Sequence, residues 1–297
     1  MKALISVDME GISGIVHSSE TNPERYDYQR GRELMTAEAN AVIAGVLDAE
    51  PTAEVLVADA HGTFRNLLPE RLDRRARLVR GKPRALNMLA GLDGETDAAL
   101  FVGYHVRAGG GPGVLAHTMN DVILDVRVTT RPPGDDVRGT GRAAGEAVRA
   151  TVRSLGEIGI NAAMAGHHGV PVVLLSGDDA ACAEASDLLP GTVTVPVKEA
   201  LGMAAAVTLH PEEARDRLRR AAADAVARRT EIPPLTLTGP LEVEVDLASP
   251  HTIDLAVLVP GVTRARGART VAFTAPDYGT AYRLVLLLAQ LATIRPA

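Results

Sequence analysis

Short apolar segments separated by helical patterns dominate the first part of the chain. Three of them, at Ala3 to Asp8, Glu54 to Ala60 and Asp97 to Tyr104, are rich in Val, Ile and Leu. Continuous apolar runs of this length are typical of strands that are buried on both faces of a parallel sheet. Helical patterns lie between them, at residues 30–48 and 83–90. This alternation predicts an α/β fold with a doubly wound, mostly parallel sheet.

The same alternation continues towards residue 190. The pattern predicts a helix over 158–165 and a strand over 170–176, followed by another helix. Asp178 and Asp179 stand where that last helix begins, and their side chains are typical N-terminal capping groups. Residues 1–190 are therefore predicted to form one α/β domain.

Shorter elements follow residue 190. We predict strands over 192–197, 241–247, 253–259 and 270–273, and helices over 211–229 and 278–291. A mixed order of this kind predicts a second, smaller α+β lobe. We therefore expect two domains, residues 1–190 with the candidate metal site described below, and residues 191–297 with a role in assembly and substrate access.

Charge and composition argue against several classes of partner. The net charge of −6 and an aromatic content of 3% without Trp do not suit nucleic acid, which is bound by basic surfaces and stacking rings. The longest apolar run, 284–288, is too short to cross a bilayer, and the apolar start at 3–7 is shorter than that of a signal peptide. The single cysteine, Cys182, lies in an Ala-rich helical pattern that predicts a buried thiol. These features predict a cytoplasmic protein without a membrane partner.

Two carboxylates follow the first predicted strand. Asp8 and Glu10 are separated by one residue, so the two-residue period of a strand points both side chains the same way. Gly11 follows at once and allows the chain to turn sharply. Two buried carboxylates need a metal ion or a strong basic partner, because like charges repel in a medium of low dielectric. The alternative is an exposed strand end with two solvated acids.

Histidines end the next two predicted strands. His61 follows the second strand and His105 follows the third. In open α/β sheets, ligands bind in the crevice outside the carboxyl ends of the strands. A lone histidine there would be an ordinary polar residue, but two histidines and two carboxylates at equivalent strand ends predict a metal site. Oxygen and imidazole donors suit Zn²⁺, with Mn²⁺ or Co²⁺ as alternatives, and this many donors could hold two ions in a hydrolytic centre.

His117 is the next candidate for a role in the chemistry. It lies downstream of a Gly-rich stretch, 109–113, whose backbone can approach a ligand closely. The stretch is not a phosphate-binding P-loop, because no Gly-Lys-Ser/Thr sequence follows it.

Five short motifs follow one another along the chain. They are SVDMEG at 6–11, DAHG at 59–62, GYH at 103–105, LAHT at 115–118 and GEIGINA at 156–162. Together they resemble the zinc-dependent D-aminopeptidase family, whose members are self-compartmentalising peptidases. The resemblance spans most of residues 1–180, and weaker matches at 197–200 and 273–276 extend it across the chain.

The resemblance implies a site, an activity and an assembly. The implied ligands of a binuclear zinc centre are Asp8, Glu10, His61, His105 and Glu157, with Asp8 bridging. His117 matches the catalytic histidine of the family. The implied reaction is removal of the N-terminal residue, preferably a D-amino acid, from short peptides by a metal-activated water. The family also implies a homodecamer of stacked five-membered rings whose active sites face an inner chamber.

The chain departs from the family pattern between His117 and Glu157. The connection is longer, includes residues 131–154, and begins with a loop-like segment of low hydrophobicity that predicts a mobile insertion. On spacing alone Glu146 competes with Glu157 as the fifth ligand, but only Glu157 is followed by Gly-Ile-Asn-Ala. We therefore choose Glu157 and place Glu146 on a solvated helix face.

Other readings stay open at this point. The chain could be a different metal-dependent amidase or esterase acting on small amides, or a non-catalytic metal-binding oligomeric scaffold. Lys198 could contact substrate or a neighbouring subunit, or form a surface salt bridge. His167 and His168 could line a cavity, although the pattern favours ordinary positions at a helix end.

Overall fold

The chain divides into two compact units, each made of two separate stretches. The computed structural model describes residues 1–130, 151–265 and 267–294. The first unit comprises Met1–Thr118 and Gly156–Thr236, and the second comprises Met119–Leu155 and Leu237–Ala297. No helix among these described residues is long and apolar enough to span a membrane.

The first unit is built on a seven-stranded sheet with the order β3-β2-β1-β4-β7-β8-β9. Its strands are β1 (Lys2–Val7), β2 (Glu54–Asp59), β3 (Arg77–Val79), β4 (Ala98–Val102), β7 (Val172–Asp178), β8 (Val193–Gly202) and β9 (Ala205–Thr208). Every neighbouring pair is parallel except β8 and β9, which form an antiparallel hairpin at the edge. The predicted α/β fold with a mostly parallel sheet is confirmed.

Helices accompany this sheet. They are α1 (Ser18–Thr21), α2 (Tyr28–Ala49), α3 (Glu157–His167), α4 (Asp179–Leu188) and α5 (Pro211–Ala227). Alternate residues of β1, such as Ile5 and Val7, share one buried apolar cluster with Val42 of α2 and Leu218 of α5. Gly45 lets α2 lie directly on α5, because a Cβ there would come within 2.2 Å of the Arg219 carbonyl oxygen. This cluster is the main core beneath the sheet.

The second unit is a five-stranded antiparallel sheet with two helices. Its strands have the order β11-β12-β10-β5-β6. They are β5 (Ile123–Thr130), β6 (Thr151–Ser154), β10 (Leu241–Leu247), β11 (Thr263–Arg264) and β12 (Thr270–Ala275), and the helices are α6 (Pro250–Ala256) and α7 (Tyr278–Leu291). In β10 the apolar residues are buried and alternate with Glu242, Glu244 and Asp246, so one face of the sheet is polar. This unit is the smaller α+β lobe.

The boundary between the units differs from the predicted one. We predicted a division at residue 190, but β8 pairs in parallel with β7, so residues 191–236 stay with the first unit. In turn, β5 and β6 pair with each other and β5 pairs with β10, which assigns 119–155 to the second unit. Of the predicted insertion at 131–154, residues 131–150 lie outside the described residues, and the alternative ligand Glu146 is among them.

Two predicted elements are wrong in type. Residues 253–259, predicted as a strand, belong to α6 and the turn after it, and α6 begins with Pro250 at its first position. Residues 83–90, predicted as a helix, contain only a single 3₁₀ turn over Asn87–Leu89. Asn87 has a φ of 47°, so a regular α-helix cannot continue through this position.

The order of the sheet gathers three strand ends. β1 lies between β2 and β4 and runs parallel to both, and Val7 is level with Asp59 on one side and Val102 on the other. The residues that follow these strands therefore leave the sheet at the same edge.

Candidate metal centre

Asp8 and Glu10 leave the end of β1 and face His61, which follows β2. Both carboxylates are buried, with 2% and 5% of their surface exposed. The Nδ1 atom of His61 lies 3.0 Å from Glu10 Oε2 and 3.4 Å from Asp8 Oδ1. Its Nε2 atom donates to the carbonyl oxygen of Thr21 at 2.9 Å. This hydrogen bond occupies Nε2 and leaves Nδ1 to face the two carboxylates.

His105 lies on the other side of the Asp8 carboxylate. Its Nε2 atom is 3.5 Å from Asp8 Oδ2 and 3.3 Å from Glu157 Oε1. Its Nδ1 atom donates to the Val106 carbonyl oxygen at 3.1 Å, which leaves Nε2 to face Asp8 and Glu157. The two oxygens of Asp8 therefore face two different histidines.

His117 completes the group beside Glu157. Its Nε2 atom is 3.6 Å from Glu157 Oε1, and its ring stacks on that of His105 at a centroid distance of 4.1 Å. Its Nδ1 atom donates to the Leu115 carbonyl oxygen at 2.8 Å. Leu115 has a φ of 53°, and such strained residues cluster at functional sites because the surrounding structure must hold them in place.

The structure thus brings together all six residues that the sequence singled out. Two groups of three have donor atoms within 4.8 Å of one another: Asp8, Glu10 and His105, and His105, His117 and Glu157. Glu157 is the first residue of α3 and is 5% exposed. Its N-cap, Gly156, lies so close to Arg107 that a Cβ would come within 2.4 Å of the Arg107 Cβ.

Burial and repulsion set the charges of these groups. Burial, together with repulsion from Glu10 and Glu157, raises the pKa of Asp8 to about 8. Burial alone would raise the pKa of Glu10, but His61 outweighs it and holds that pKa well below the usual range. Burial would lower the pKa of His105, but Glu157 and Asp8 outweigh it and raise the value to about 10. The carboxylates therefore need positive charge beside them.

A metal ion fits this requirement better than protons do. Asp8 Oδ2 and His105 Nε2 are both buried and make no hydrogen bond to any described residue. Leaving such atoms unpaired is costly, and oxygen and imidazole nitrogen are suitable donors for Zn²⁺. The unpaired atoms and the chemistry of the donors therefore fit a divalent cation at this place.

Two buried polar residues support the site and were missed by sequence reasoning. Asn66 Nδ2 donates to the carbonyl oxygen of His61 at 2.6 Å and to Asp59 Oδ1 at 2.7 Å. Asp59 Oδ2 in turn accepts from the backbone N–H groups of Asn66 and Leu67. Asp59 belongs to the DAHG motif, but its spacing alone gave no reason to assign it a partner seven residues away.

Asp178 has a double function in the structure. It caps α4 as predicted, because its Oδ1 atom accepts from the Ala181 N–H at 2.8 Å. Its Oδ2 atom also accepts from the Val114 N–H at 2.7 Å, which ties the segment that leads to His117 to the start of α4.

Several other predicted positions can be compared with the structure. Cys182 is buried and free, as predicted, and His167 and His168 lie at the end of α3, as favoured. Gly11 is required for a different reason from the predicted sharp turn: a Cβ there would lie 2.0 Å from the Tyr104 carbonyl oxygen. Lys198 fits neither of its expected positions, because it is only 3% exposed and its Nζ donates to backbone carbonyl groups inside the first unit.

Comparison with known proteins identifies the family. The model of the peptidase family M55, described as D-aminopeptidase, matches residues 1–135 and 142–287. The chain belongs to the D-aminopeptidase family. A D-aminopeptidase of Bacillus subtilis (strain 168) is 35% identical over 292 residues, which cover 98% of each chain.

A solved structure of this family has the same fold. The Zn-dependent D-aminopeptidase DppA from Bacillus subtilis, described as a self-compartmentalizing protease, superposes with a TM-score of 0.89 at 34% identity, covering 100% of both chains. The family resemblance drawn from the five motifs is confirmed, and with it the assignment of the chain as an aminopeptidase.

Proposed function

We propose that this chain is a zinc-dependent aminopeptidase that removes the N-terminal residue, preferably a D-amino acid, from short peptides. The observation that carries this proposal is the Asp8 carboxylate, whose two buried oxygens face His61 and His105 at 3.4 and 3.5 Å. The zinc dependence of DppA, which has the same fold, supports the choice of metal. The preference for D-residues rests on family membership, because a pocket wall rather than a ligand set selects the enantiomer.

We assign two zinc ions to the site. Asp8, Glu10 and His61 would hold one ion, and His105 and Glu157 would hold the other, with Asp8 as a ligand common to both. When bound, the ions supply Lewis acidity that lowers the pKa of a coordinated water and polarises the scissile carbonyl group.

The residues of the chain have separate tasks in this reaction. The hydrogen bonds from His61 to Thr21 and from His105 to Val106 fix each imidazole with its lone pair towards the carboxylates. His117, whose Nδ1 is held by Leu115, keeps Nε2 free to exchange a proton beside Glu157. We assign to that atom the uptake of a proton from the attacking water and its transfer to the leaving amine.

Assembly and location complete the proposal. Because DppA is described as self-compartmentalizing, we propose that this chain forms a homodecamer whose chamber admits short peptides. The buried, unpaired Cys182 suits a reducing cytoplasm, and the net charge of −6 argues against nucleic acid as a partner. Sedimentation of the purified protein tests the assembly, with ten times the mass of one chain as the expected result.

The deciding experiment measures metal content and hydrolysis together. Protein purified without chelator or nickel resin is analysed for metal, and is then given D,D, D,L and L,L dipeptides beside simple amides and esters. We expect about two zinc ions per chain and the fastest hydrolysis for peptides with an N-terminal D-residue. In Asp8→Asn, which keeps the shape of the side chain but removes its charge, we expect loss of zinc and of hydrolysis.

Other outcomes would point elsewhere. Hydrolysis of the simple amides alone would favour a different metal-dependent amidase or esterase. Protein that takes up no zinc would leave a non-catalytic scaffold as the better reading. Unchanged hydrolysis in Asp8→Asn would contradict the assignment of the bridging ligand.

A further inference from the structure

Lys198 is a buried cation that the proposed reaction does not use. It lies in β8, level with Asp178 of β7, and 3% of its surface is exposed. Its Nζ atom donates to the carbonyl oxygens of Glu10 at 2.5 Å, Ile12 at 3.0 Å and Ile15 at 2.6 Å. An ammonium group has three protons and no acceptor capacity, so each proton has one acceptor here.

All three acceptors belong to one short segment, which we name the ligand loop and define as residues 9–15. It begins directly after Asp8 and contains Glu10. A second buried side chain holds the same loop from α2: Glu38 Oε1 accepts from the Ser13 N–H at 2.8 Å. The loop is therefore held by a cation at its carbonyl groups and by a carboxylate at one of its amides.

The peptide group between Glu10 and Gly11 is fixed at both of its polar ends. Its carbonyl oxygen accepts from Lys198 at 2.5 Å, and its N–H donates to the Gly103 carbonyl oxygen at 2.8 Å. A peptide group held in this way cannot rotate without losing one of the two hydrogen bonds. Because its carbonyl carbon is bonded to the Glu10 Cα, fixing this group restrains the backbone from which the Glu10 side chain projects.

We propose that Lys198 is a positioning residue that fixes the ligand loop and thereby holds the Glu10 carboxylate opposite His61. The part of this inference that concerns zinc rests on the proposed function, because it takes Glu10 as a ligand. The part that concerns the loop rests only on the hydrogen bonds of Lys198. The two parts can therefore be tested separately.

The first test measures amide hydrogen exchange in the metal-free, full-length protein. In Lys198→Met, which keeps the length of the side chain but removes its donors, exchange in the peptide that covers the ligand loop should become at least tenfold faster. The matched control is Lys2→Met, which removes a lysine that pairs with Asp93 at the opposite end of β1 from the loop. Unchanged exchange in the loop of Lys198→Met overturns the inference, whether or not the chain binds zinc.

The second test measures zinc affinity by competition with a chromophoric chelator. Loss of a residue that orients a metal ligand typically weakens metal affinity about 10–100-fold, and we expect a change of that size in Lys198→Met. Leu218→Ala, which truncates a fully buried side chain in α5 of the same unit, controls for a general loss of stability and should leave the affinity unchanged. An affinity in Lys198→Met equal to that of the wild type contradicts the positioning of Glu10.

Two further variants separate the inference from a folding defect and from the proposed function. Lys198→Gln keeps two donor protons, so an effect between those of the wild type and Lys198→Met is expected in both tests. An effect as large as that of Lys198→Met would count against the donor role. Wild-type protein that binds no zinc would overturn the proposed function, whereas the exchange measurement would still decide the inference about the loop.

Discussion

At the scale of single residues, the first question is whether Glu157 or Glu146 is the fifth metal ligand. Glu157 lies 3.3 Å from His105 and 3.6 Å from His117, which makes it a candidate ligand. We predict that Glu157→Gln lowers the zinc content by about one ion per chain and lowers kcat/KM by more than the roughly 100-fold loss typical of an outer-shell partner. Metal analysis and dipeptide kinetics measure both effects.

Glu146 provides the matched control for that prediction. Glu146→Gln changes the same chemical group in the long connection before Glu157, and we expect no change in zinc content. Loss of zinc in Glu146→Gln together with normal content in Glu157→Gln would reverse the assignment of the fifth ligand.

His117 is predicted to act on protons rather than to hold metal. Its ring stacks on His105 and its Nδ1 is occupied by Leu115, so one nitrogen remains for chemistry. We predict that His117→Gln lowers kcat by about 10²–10⁴-fold, the usual contribution of a general acid or base, and leaves KM and zinc content unchanged. The control is His167→Gln, which changes an exposed histidine at the end of α3 and should have no effect. A fall in zinc content in His117→Gln would instead make it a ligand.

Sequence reasoning reached the residues of the site but not the residues that hold them. Asp8, Glu10, His61 and His105 could be predicted because parallel strand ends must meet at one edge of a sheet. Asn66 and Lys198 could not, because their partners are fixed by loop conformation and by β8, which enters the sheet far along the chain. Lysine side chains are rarely buried, so sequence reasoning placed Lys198 at the surface of the protein.

At the scale of elements, the errors of prediction have a local cause. Residues 253–259 are rich in branched apolar side chains, which favours a strand, but burial of Thr252, Ile253 and Ala256 follows the spacing of a helix. In residues 83–90, Arg84 donates to the backbone carbonyl groups of Asn87 and Val79, and these bonds hold an irregular segment instead of a helix. In the first case burial of the helix face, and in the second local hydrogen bonds from Arg84, outweigh intrinsic preference.

The polar face of the antiparallel sheet carries a testable ion pair. Arg127 of β5 donates to both oxygens of Asp246 in β10, at 2.6 and 2.9 Å, and Thr270 donates to the same carboxylate. The hydrogen bonds from Arg127 hold the pKa of Asp246 below its usual value of 3.8. An acid whose pKa is lower in the folded state stabilises the fold when the pH is above its pKa in the unfolded state. This stabilisation is lost as the pH falls through the pKa of the folded state.

We therefore predict that Asp246→Asn destabilises β10 by about 1 kcal/mol at pH 7, since the pair is bidentate but partly solvated. The difference from the wild type should shrink as the pH falls below 3.8. Hydrogen exchange in β10 as a function of pH measures it. Glu244→Gln, which removes a single and more exposed contact to Arg127, is the control and should cost less. A difference that stays constant down to the most acidic pH at which the protein is folded would exclude the ion pair as its cause.

At the scale of the whole molecule, the chain order hides the division into units. The second unit takes β5 and β6 from the middle of the chain and its other elements from the end. The first unit consists of the start of the chain together with residues 156–236. A linear boundary such as residue 190 cannot describe this arrangement, because strand pairing over long separations, and not chain position, decides membership. Predicting such a pairing needs register information that a single sequence does not contain.

This division makes a prediction about zinc and stability. All six candidate site residues lie in the first unit, and four of them follow the ends of β1, β2 and β4 directly or within three residues. A ligand that binds only the folded state stabilises it by about 2.7–4.1 kcal/mol at 100–1,000 times its dissociation constant. We therefore predict that removing zinc with a chelator lowers Tm and increases hydrogen exchange most in these three strands.

The site of the change distinguishes metal binding at the proposed centre from binding elsewhere. At the proposed centre zinc would neutralise carboxylates that otherwise repel each other at the ends of β1, β2 and β4. Its protection should therefore be largest in these strands and smaller in β10, which belongs to the second unit. Asp8→Asn should remove this zinc response and leave the exchange of β10 as it was. Equal protection of β1 and β10, or an unchanged zinc response in Asp8→Asn, would place the stabilising ion away from the Asp8 carboxylate.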